Sequence, residues 1–283
     1  MKKITALLLG TAMVLSLAAC GASATTSEST ASSEASSAAS SEAASSEAAS
    51  AESAAADLTT VTDGTLTMST NAAFPPYEMT ADDGSFEGID IEVAQAIADK
   101  LGLTLQVDDM DFDAALLAVQ NGKSDMVMAG VTVTEERQKV MDFTDSYATG
   151  IQSIIVPEDS DIASIDDLAG KTIGTQRGTT GYLYCVDEFG DDAVIAYDNG
   201  LTAVQALNNG QVDCVVIDNA PAQEFVAANQ GLKILDTPYA EESYAIGVAK
   251  GNTALLDAIN GALAELQADG TLQGIVDKYI TAE

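Results

Sequence analysis

Two short segments of this chain carry residues that could together bind an anion. In the first, an apolar run that begins at Met126 leads through Gly130 to Thr134, which is placed to cap a helix whose first turn contains Arg137. The positive end of a helix dipole disfavours a cation by up to about 1 kcal/mol, so we expect an anion opposite this arginine. Backbone N–H groups, threonine hydroxyls and a guanidinium suit a carboxylate or a phosphate. This segment alone leaves one alternative open, a surface salt bridge between Arg137 and Glu136.

The second segment repeats this chemistry. Residues 171–175 are predicted to form a short strand, and the glycine-bracketed loop 176–181 that follows opens a helix with free N–H groups. Loops of glycine and threonine are common, so this pattern is weakly specific by itself. The loop contains Arg177, and the chain has no arginine other than Arg137 and Arg177.

A carboxylate ends the apolar strand predicted at residues 212–218. Asp218 could simply cap the helix that follows. However, Asn219, with Pro221 close behind it, can provide that cap. We therefore expect the Asp218 side chain to be free to point into a cleft.

The composition excludes several classes of function. The chain has 283 residues, with 44 acidic and 11 basic side chains, a formal net charge of −33 and no histidine. Nucleic acids and anionic lipid headgroups are poor partners for so acidic a surface, and catalysis by serine–histidine or cysteine–histidine pairs is excluded. The three cysteines are too scattered to suggest a zinc site. We expect no metal and no cofactor.

The first 57 residues are predicted to lie outside the fold. Lys2 and Lys3 precede an apolar run at residues 4–19, and the small residues before Cys20 resemble the bacterial lipobox. This resemblance implies a lipoprotein signal peptide at residues 1–20 and a lipid on Cys20 that anchors the protein outside the cytoplasmic membrane. The alternative, an uncleaved membrane helix, is disfavoured because spans usually need about 18 apolar residues or more. Residues 21–57 are nearly all Ala, Ser, Thr and Glu, which predicts a disordered tether.

The rest of the sequence alternates strands and helices. Strands are predicted at residues 66–69, 103–107 and 124–129, and helices at residues 89–101 and 113–120. The first helix is predicted to end at Gly102. Two prolines predict a loop at residues 71–78, and a turn follows at residues 82–84. This pattern is typical of an α/β sheet that binds ligand at the carboxyl ends of its strands.

Several motifs occur in order between residue 64 and the end of the chain. They are Asn71-x-x-Phe74-x-Pro76-Tyr77-Glu78, Gly88-Ile89-Asp90-Ile91-Glu92, Phe112-Asp113, Thr132-x-Thr134-x-Glu136-Arg137, Phe143-Thr144-Asp145-x-Tyr147, Gly178-Thr179-Thr180-Gly181 and Asp213-x-x-x-x-Asp218. One such motif would mean little. Together, at this spacing, they resemble the extracellular solute-binding proteins of the polar amino-acid type (family 3), which are the receptors of ABC importers.

The resemblance implies a two-lobed, periplasmic-binding-protein-like α/β fold of type II, with the ligand cleft between the lobes. The crossover strands, at residues 147–156 and 239–248, would act as the hinge. Lobe 1 would comprise residues 58–148 and 243–283, including two C-terminal helices, and lobe 2 would comprise residues 149–242. The apolar face of the first C-terminal helix predicts this helix independently of the resemblance, and Gly270 would separate it from the second helix.

The resemblance also implies a site for a free L-α-amino acid. Arg137 would hold the ligand carboxylate, helped by the backbone N–H groups of Thr132 and Thr180. Asp218 would hold the α-ammonium, with the Gly130 carbonyl and the Thr132 hydroxyl as further acceptors. Two phenylalanines would form apolar walls, although ordinary core packing is the alternative for them. The expected ligand-binding residues are Arg137, Asp218, Thr132, Gly130, Thr180, Phe74, Phe112, Asn71, Gln176 and Arg177.

The function implied by the resemblance is that of a binding protein and not an enzyme. It would capture an L-amino acid outside the cell, close around it, and present the closed form to the membrane permease of an ABC importer. We expect a monomer whose other partner is the membrane, through the lipid on Cys20. Two alternatives are a cyclohexadienyl-type dehydratase that uses an acid such as Glu78, and the ligand-sensing module of a signalling system.

The ligand side chain and the state of the cysteines stay open. Asn71 stands where basic amino-acid binders often carry an aspartate, and Arg177 would repel a cation, which favours a neutral polar ligand such as glutamine. Against this, the overall negative charge favours a cation, so arginine, lysine, histidine and cystine remain alternatives. Cys185 and Cys214 either form a disulfide or stay as two buried thiols.

Overall fold

The structure, a computed structural model, describes residues 58–236 and 238–280. The predicted signal peptide, its lipidation site Cys20 and the predicted tether at residues 21–57 all lie outside the described residues. Within the described part, none of the helices combines the length and the apolar character needed to cross a membrane.

Strands and helices alternate along most of the chain, as the sequence predicts. The strands are β1 (Thr65–Thr70), β2 (Ala73–Phe74), β3 (Glu78–Thr80), β4 (Phe86–Glu87), β5 (Thr104–Asp109), β6 (Met126–Val127), β7 (Met141–Pro157), β8 (Ile173–Gln176), β9 (Val194–Tyr197), β10 (Cys214–Asp218), β11 (Leu232–Ile234) and β12 (Ala240–Ala249). The helices are α1 (Ile89–Leu101), α2 (Phe112–Gln120), α3 (Glu135–Gln138), α4 (Thr180–Phe189), α5 (Gly200–Asn208), α6 (Asn219–Ala228), α7 (Thr253–Ala268) and α8 (Thr271–Tyr279), with 3-10 turns at Ile165–Leu168 and Asp191–Ala193.

One continuous sheet carries two groups of parallel strands. Its order is β5–β1–β6–β12–β7–β10–β8–β9, with β11 also paired to β7. β1 is parallel to β5 and β6, and β8 is parallel to β9 and β10. The two strands between these groups, β12 and β7, are antiparallel to each other and to their outer neighbours β6 and β10. They are therefore the two connections expected from the resemblance.

We call lobe 1 the part built from β1–β6, α1–α3, α7 and α8, and lobe 2 the part built from β8–β11 and α4–α6. Each lobe buries apolar clusters on both faces of its strands, because alternate strand residues point to opposite faces. In β6, Met126 joins one cluster and Val127 another; in β10, Val216 and Val215 do the same. The α/β fold with two lobes joined by two crossover strands is thus confirmed.

The C-terminal helices α7 and α8 pack on the N-terminal strands and helices of lobe 1. Leu255 and Leu263 of α7 and Leu272 of α8 belong to the same buried cluster as Leu66 and Met68 of β1. Burying an apolar side chain of this size stabilises a fold by roughly 1.5–3 kcal/mol, so these helices complete the lobe 1 core.

Several helices and turns begin or end where local sequence signals predict. Gly102 adopts a left-handed conformation with φ of 67° and ends α1. The Thr134 hydroxyl accepts a hydrogen bond from the backbone N–H of Arg137, which begins the short helix α3 as predicted. The turn at residues 82–84 joins β3 to β4 in an antiparallel hairpin.

Two predicted boundaries are wrong. The strand predicted at residues 124–129 is reduced to Met126–Val127, and Gly130 shortly after it adopts a left-handed conformation with φ of +53°. The segment 71–78, predicted as a loop, contains β2 and the first residue of β3. Its prolines fall between these strands and do not interrupt either of them.

The cysteine alternatives are also resolved. Cys185 on α4 and Cys214 on β10 are both buried in the same apolar cluster of lobe 2 and both are free thiols. Burial raises the pKa of each thiol to about 12, so both stay protonated at neutral pH.

Candidate functional site

A cavity lies between the two lobes, at the carboxyl ends of the parallel strands. The space between its walls, including its opening to solvent, is about 430 Å³. Its walls are Asn71, Phe74, Glu78, Phe112, Ala129, Gly130, Thr132, Arg137, Gln152, Gln176, Thr179, Thr180, Ile217, Asp218 and Tyr244. The expected ligand-binding residues all lie there except Arg177.

Arg137 is a buried cation in the wall that lobe 1 contributes. It is 8% exposed, and its guanidinium donates to the Thr132 carbonyl at 2.8 Å and to the Gly178 carbonyl at 3.2 Å. These bonds use two of its five N–H donors. Burial lowers the pKa of Arg137, and no acidic side chain among the described residues forms a salt bridge with it. The surface salt bridge with Glu136, the alternative left open by the sequence, is not formed.

Backbone N–H groups converge near this guanidinium. Thr132 lies opposite Tyr244 in an isolated antiparallel bridge, and the flanking bonds Val133 N–H to Ser243 and Ala245 N–H to Val131 turn the Thr132 N–H away from β12. Thr180 is the first residue of α4, where backbone N–H groups have no partner within the helix. Both residues line the cavity, so an anion next to Arg137 would find donors from both lobes.

Asp218 supplies a negative charge to the wall from lobe 2. It is 2% exposed, and its Oδ2 accepts hydrogen bonds from the Tyr244 hydroxyl at 2.6 Å and from the Ile151 N–H at 2.9 Å. Burial raises the pKa of Asp218 to about 6, although these bonds oppose the shift. The carboxyl is therefore mostly ionised at neutral pH.

One step of the sequence argument for Asp218 is wrong. Asp218, and not Asn219, caps helix α6, because its Oδ1 accepts a hydrogen bond from the Ala220 N–H at 3.2 Å. The Asn219 amide instead donates to the Ser153 hydroxyl at 3.0 Å. Capping and lining the cavity are compatible, because the two carboxylate oxygens face different partners.

Three contacts tie the lobes together across the cavity. The Gln176 amide donates to Asn71 Oδ1 at 2.9 Å, and the hydroxyls of Thr132 and Thr180 are 3.5 Å apart. The bond from Arg137 to the Gly178 carbonyl is the third. The lobes are therefore closed on each other, and Asn71 and Gln176 are engaged with each other in this closed form.

Two aromatic rings form apolar walls. The Arg137 guanidinium carbon lies 5.3 Å from the centre of the Phe112 ring, which is a cation–π contact. The Phe74 ring stacks on Tyr77, with ring centres 5.9 Å apart, and packs against clusters of both lobes. Phe74 and Phe112 thus line the cavity and also pack in the core.

The structure corrects the placement of Arg177. Its side chain is 55% exposed, lies 3.9 Å from Asp198 and donates to the Ala196 carbonyl at 3.1 Å. Although the adjacent Gln176 lines the cavity, alternate residues of an extended segment point in opposite directions. Arg177 therefore lies outside the cavity and is not available to repel a cation from it.

Sequence reasoning missed Glu242, which contacts the cavity residues Thr132 and Gln152. Its Oε2 accepts hydrogen bonds from the Thr132 hydroxyl at 2.9 Å and from the Gln152 amide at 3.1 Å. Glu242 is 6% exposed. In β12 it is two residues before the buried Tyr244, so strand alternation could have identified it as inward-facing while Glu241 faces solvent.

A pair of acidic residues lies at the cavity wall in lobe 1. Glu78 lines the cavity and is 1% exposed, and Asp90 of α1 is fully buried behind it. Asp90 Oδ2 accepts from the Gly130 N–H at 3.0 Å and from the Tyr147 hydroxyl at 2.9 Å. Burial raises the pKa of Asp90 to about 6 and that of Glu78 well above its ordinary range. Among the described residues, no group of His, Cys, Asp or Glu is arranged to hold a metal ion.

The chain matches the sequence model of the bacterial extracellular solute-binding proteins, family 3, over residues 66–282. It is 31% identical to the L-cystine-binding protein TcyJ of Escherichia coli (strain K12), over 78% of this chain and 84% of that protein. It is 33% identical to the arginine-binding extracellular protein ArtP of Bacillus subtilis (strain 168), over 77% of this chain and 87% of that protein. These relatives are binding proteins and not enzymes, so they favour neither alternative function.

Solved structures share the fold. An ancestral arginine-binding protein bound to glutamine superimposes with a TM-score of 0.75 and 42% sequence identity, over 78% of this chain and 100% of that one. The likeness extends over the whole of that two-lobed molecule, in agreement with a periplasmic-binding-protein-like fold of type II.

Proposed function

The chain belongs to the bacterial extracellular solute-binding proteins, family 3, and from this premise we propose that it binds a free L-amino acid between its lobes as the substrate-binding component of an ABC importer. The observation that carries the proposal is the pair of opposite buried charges in one cavity, Arg137 from lobe 1 and Asp218 from lobe 2. A free amino acid presents the complementary pair, a carboxylate and an ammonium, on one carbon atom.

The carboxylate of the ligand is held by Arg137 and by the backbone N–H groups of Thr132 and Thr180. A guanidinium forms charge-assisted, often bidentate hydrogen bonds with a carboxylate, and such bonds are about twice as strong as neutral ones. The α-ammonium is held by Asp218, with the Thr132 hydroxyl and the Gly130 carbonyl as further acceptors. Phe74 and Phe112 cover the apolar part of the ligand, and Asn71 and Gln176 close the cavity over it.

The side chain of the ligand is polar, and Glu78 is its partner. Once Arg137 and Asp218 are paired with the α-groups, Glu78 is the acidic wall residue that remains. Both of its carboxyl oxygens are buried without a hydrogen bond to any described residue, and a buried polar group normally has a partner. With Arg177 outside the cavity, a cationic side chain such as that of arginine fits as well as the amide of glutamine.

Binding closes the lobes, because the ligand completes its contacts only when both walls meet. A ligand that prefers the closed form shifts the hinge equilibrium towards it. We place the lobe boundaries at residues 148/149 and 242/243. The register shifts of β12 after Tyr244 support this placement, since irregular pairing is where a strand bends.

The permease of an ABC importer then recognises the closed form and receives the ligand. We further propose that Cys20 is lipidated after cleavage of residues 1–20 and that residues 21–57 tether the lobes to the outer side of the cytoplasmic membrane. The lipobox-like residues before Cys20 and the composition of residues 21–57 support this part of the proposal.

A thermal-shift screen of the twenty L-amino acids tests the proposal, because a ligand that binds only the folded state raises the melting temperature. Calorimetry with the best ligand then compares Arg137→Ala with Arg177→Ala, a control at the only other arginine. We expect Arg137→Ala to abolish measurable binding with an unchanged circular dichroism spectrum, and Arg177→Ala to bind normally. The absence of any stabilising amino acid, or equal losses in the two variants, would refute the proposal.

A further inference from the structure

The carboxyl groups of Glu78 and Asp90 form a buried pair with incomplete hydrogen bonding. Asp90 Oδ2 has two donors, Gly130 N–H and Tyr147 hydroxyl, whereas Asp90 Oδ1 and both oxygens of Glu78 have none among the described residues. The two residues are neighbours, because the Asp90 N–H donates to the carbonyl of Tyr77, the residue before Glu78, at 2.8 Å, and each carboxyl shifts the pKa of the other. Two carboxylates cannot bond to each other, but a carboxylic acid can donate to a carboxylate. A single proton shared by the pair gives a partner to Asp90 Oδ1 and to one oxygen of Glu78, and leaves the other Glu78 oxygen free for a ligand.

The surroundings decide which residue holds this proton. Asp90 stands in the first turn of α1, where a negative charge is favoured, and it receives two hydrogen bonds that stabilise the charged form. Glu78 receives none and is 1% exposed. Glu78 is therefore the acid that donates, and Asp90 the carboxylate that accepts.

The other groups around Glu78 include one cation, Arg137, and apart from it they do not favour a second negative charge. They are Asp90 from α1, Asp109 from β5, Tyr77 beside it in the chain, Tyr147 from β7, and Arg137 and Asp218 on the cavity walls. Among these groups Arg137 is the only cation, and in the proposed function it is neutralised by the ligand carboxylate. The charge that could remove the proton from Glu78 must therefore come from the ligand.

We propose that Glu78 is a proton-exchanging specificity residue: it releases its proton to solvent when the ligand side chain is cationic and keeps it when the side chain is neutral. This inference rests on the proposed amino-acid-binding function and deepens it. With a guanidinium or ammonium side chain, the Glu78 O–H bond breaks, the proton goes to the buffer, and the carboxylate pairs with the cation. With an amide side chain, Glu78 keeps the proton and its hydrogen bond to Asp90, and its other oxygen accepts a hydrogen bond from the amide NH₂. One cavity thereby accepts two classes of side chain.

Arginine and citrulline provide a matched pair of probes, because citrulline carries a neutral urea group in place of the guanidinium. Calorimetric titrations of the wild-type protein at pH 7 in two buffers with different ionisation enthalpies give the number of protons released by each ligand. We expect arginine to release about one proton more than citrulline. Titration of Asp218 affects both ligands alike, since both carry the same α-ammonium, and cancels in the difference.

The exchange of the Glu78 proton should also appear in the pH dependence of the two dissociation constants. Between pH 6 and pH 8 we expect the ratio of the citrulline Kd to the arginine Kd to rise by up to about tenfold per pH unit, because binding the cation expels a proton that is more abundant at low pH. In Glu78→Gln we expect this ratio to become independent of pH, with arginine affected more than citrulline. Glu87→Gln removes an exposed carboxylate from the adjoining strand β4 and should leave the wild-type ratio unchanged.

The outcomes separate the two proposals. Equal proton release by arginine and citrulline, or binding of neutral amino acids with no binding of arginine, would overturn the exchange and leave amino-acid binding intact. If no amino acid binds at all, the proposed function fails, and the exchange fails with it. The comparison of the two ligands on the wild-type protein decides the matter even if Glu78→Gln does not fold.

Discussion

Replacement of Asp218 by asparagine tests the proposed role of its charge in holding the ligand ammonium, while it keeps the side chain nearly the same size. The carboxylate accepts three hydrogen bonds, from Tyr244 at 2.6 Å, Ile151 at 2.9 Å and Ala220 at 3.2 Å. An asparagine can keep its oxygen in the position that faces Tyr244 and Ile151. Its NH₂ group then faces the Ala220 N–H, so the cap of helix α6 is lost, at a cost of about 1 kcal/mol of stability.

The effect on binding should be much larger than this effect on stability. Removing one partner of a buried, hydrogen-bonded charge pair costs about 2–5 kcal/mol, which corresponds to a loss of affinity from about 30-fold to several thousand-fold. We expect calorimetry to show this loss for the amino acid that stabilises the wild-type protein most. The corresponding α-keto acid has no ammonium group, so its affinity should change little.

Asp213→Asn is the matched control. Asp213 stands just before the same strand, but it is exposed and its carboxylate accepts from the Thr172 N–H outside the cavity. This variant should bind both ligands as the wild-type protein does. If Asp218→Asn weakened the keto acid as much as the amino acid, or if it bound the amino acid normally, the assignment of Asp218 to the ammonium would be wrong.

Three further expectations follow from the same structure. Because the pKa of the carboxyl on β10 is raised to about 6, its ionised form is lost as the pH falls through 6, and the affinity for every α-amino acid, measured by calorimetry, should fall there while that for α-keto acids does not. A Cβ at Gly88 would lie 2.3 Å from the Tyr77 carbonyl oxygen at φ +125°, whereas Gly84 has φ +85° and open space; Gly84→Ala should therefore cost about 1–2 kcal/mol in denaturant melts and Gly88→Ala clearly more. In the absence of reductant, Cys185 and Cys214 should both react with a thiol reagent once the protein is unfolded, and neither should react while it is folded. A protein mass lower by two hydrogens would instead reveal a disulfide.

Sequence reasoning succeeded where the determining interaction is local. The Thr134 cap, the left-handed Gly102 and the apolar stripe of α7 each involve residues within a few positions of one another. Their energetics are therefore contained in a short window of sequence. The placement of Arg137 and Asp218 in one cavity followed from the family pattern, which adds the long-range information that a local window lacks.

The sequence was insufficient where orientation depends on distant partners. Asp218 and Asn219 are both good capping residues, and only the Ser153 hydroxyl from β7, which engages Asn219, separates them. Arg177 and Gln176 are neighbours, yet the direction of the strand sends only Gln176 into the cavity. Glu242 is buried because Thr132 and Gln152, both remote in sequence, donate to it. None of these partners can be read from local spacing.

The return of α7 and α8 to lobe 1 also sets an order of folding. Lobe 2 is a continuous stretch of chain, but the lobe 1 core joins Leu66 near its beginning to Leu272 near its end. A chain synthesised from its N-terminus can thus bury the lobe 2 core while lobe 1 still lacks two helices. Contacts so distant in sequence close slowly because their loop-closure entropy comes first. We therefore expect lobe 1, which supplies Arg137 to the cavity, to be the last part of the molecule to complete its fold.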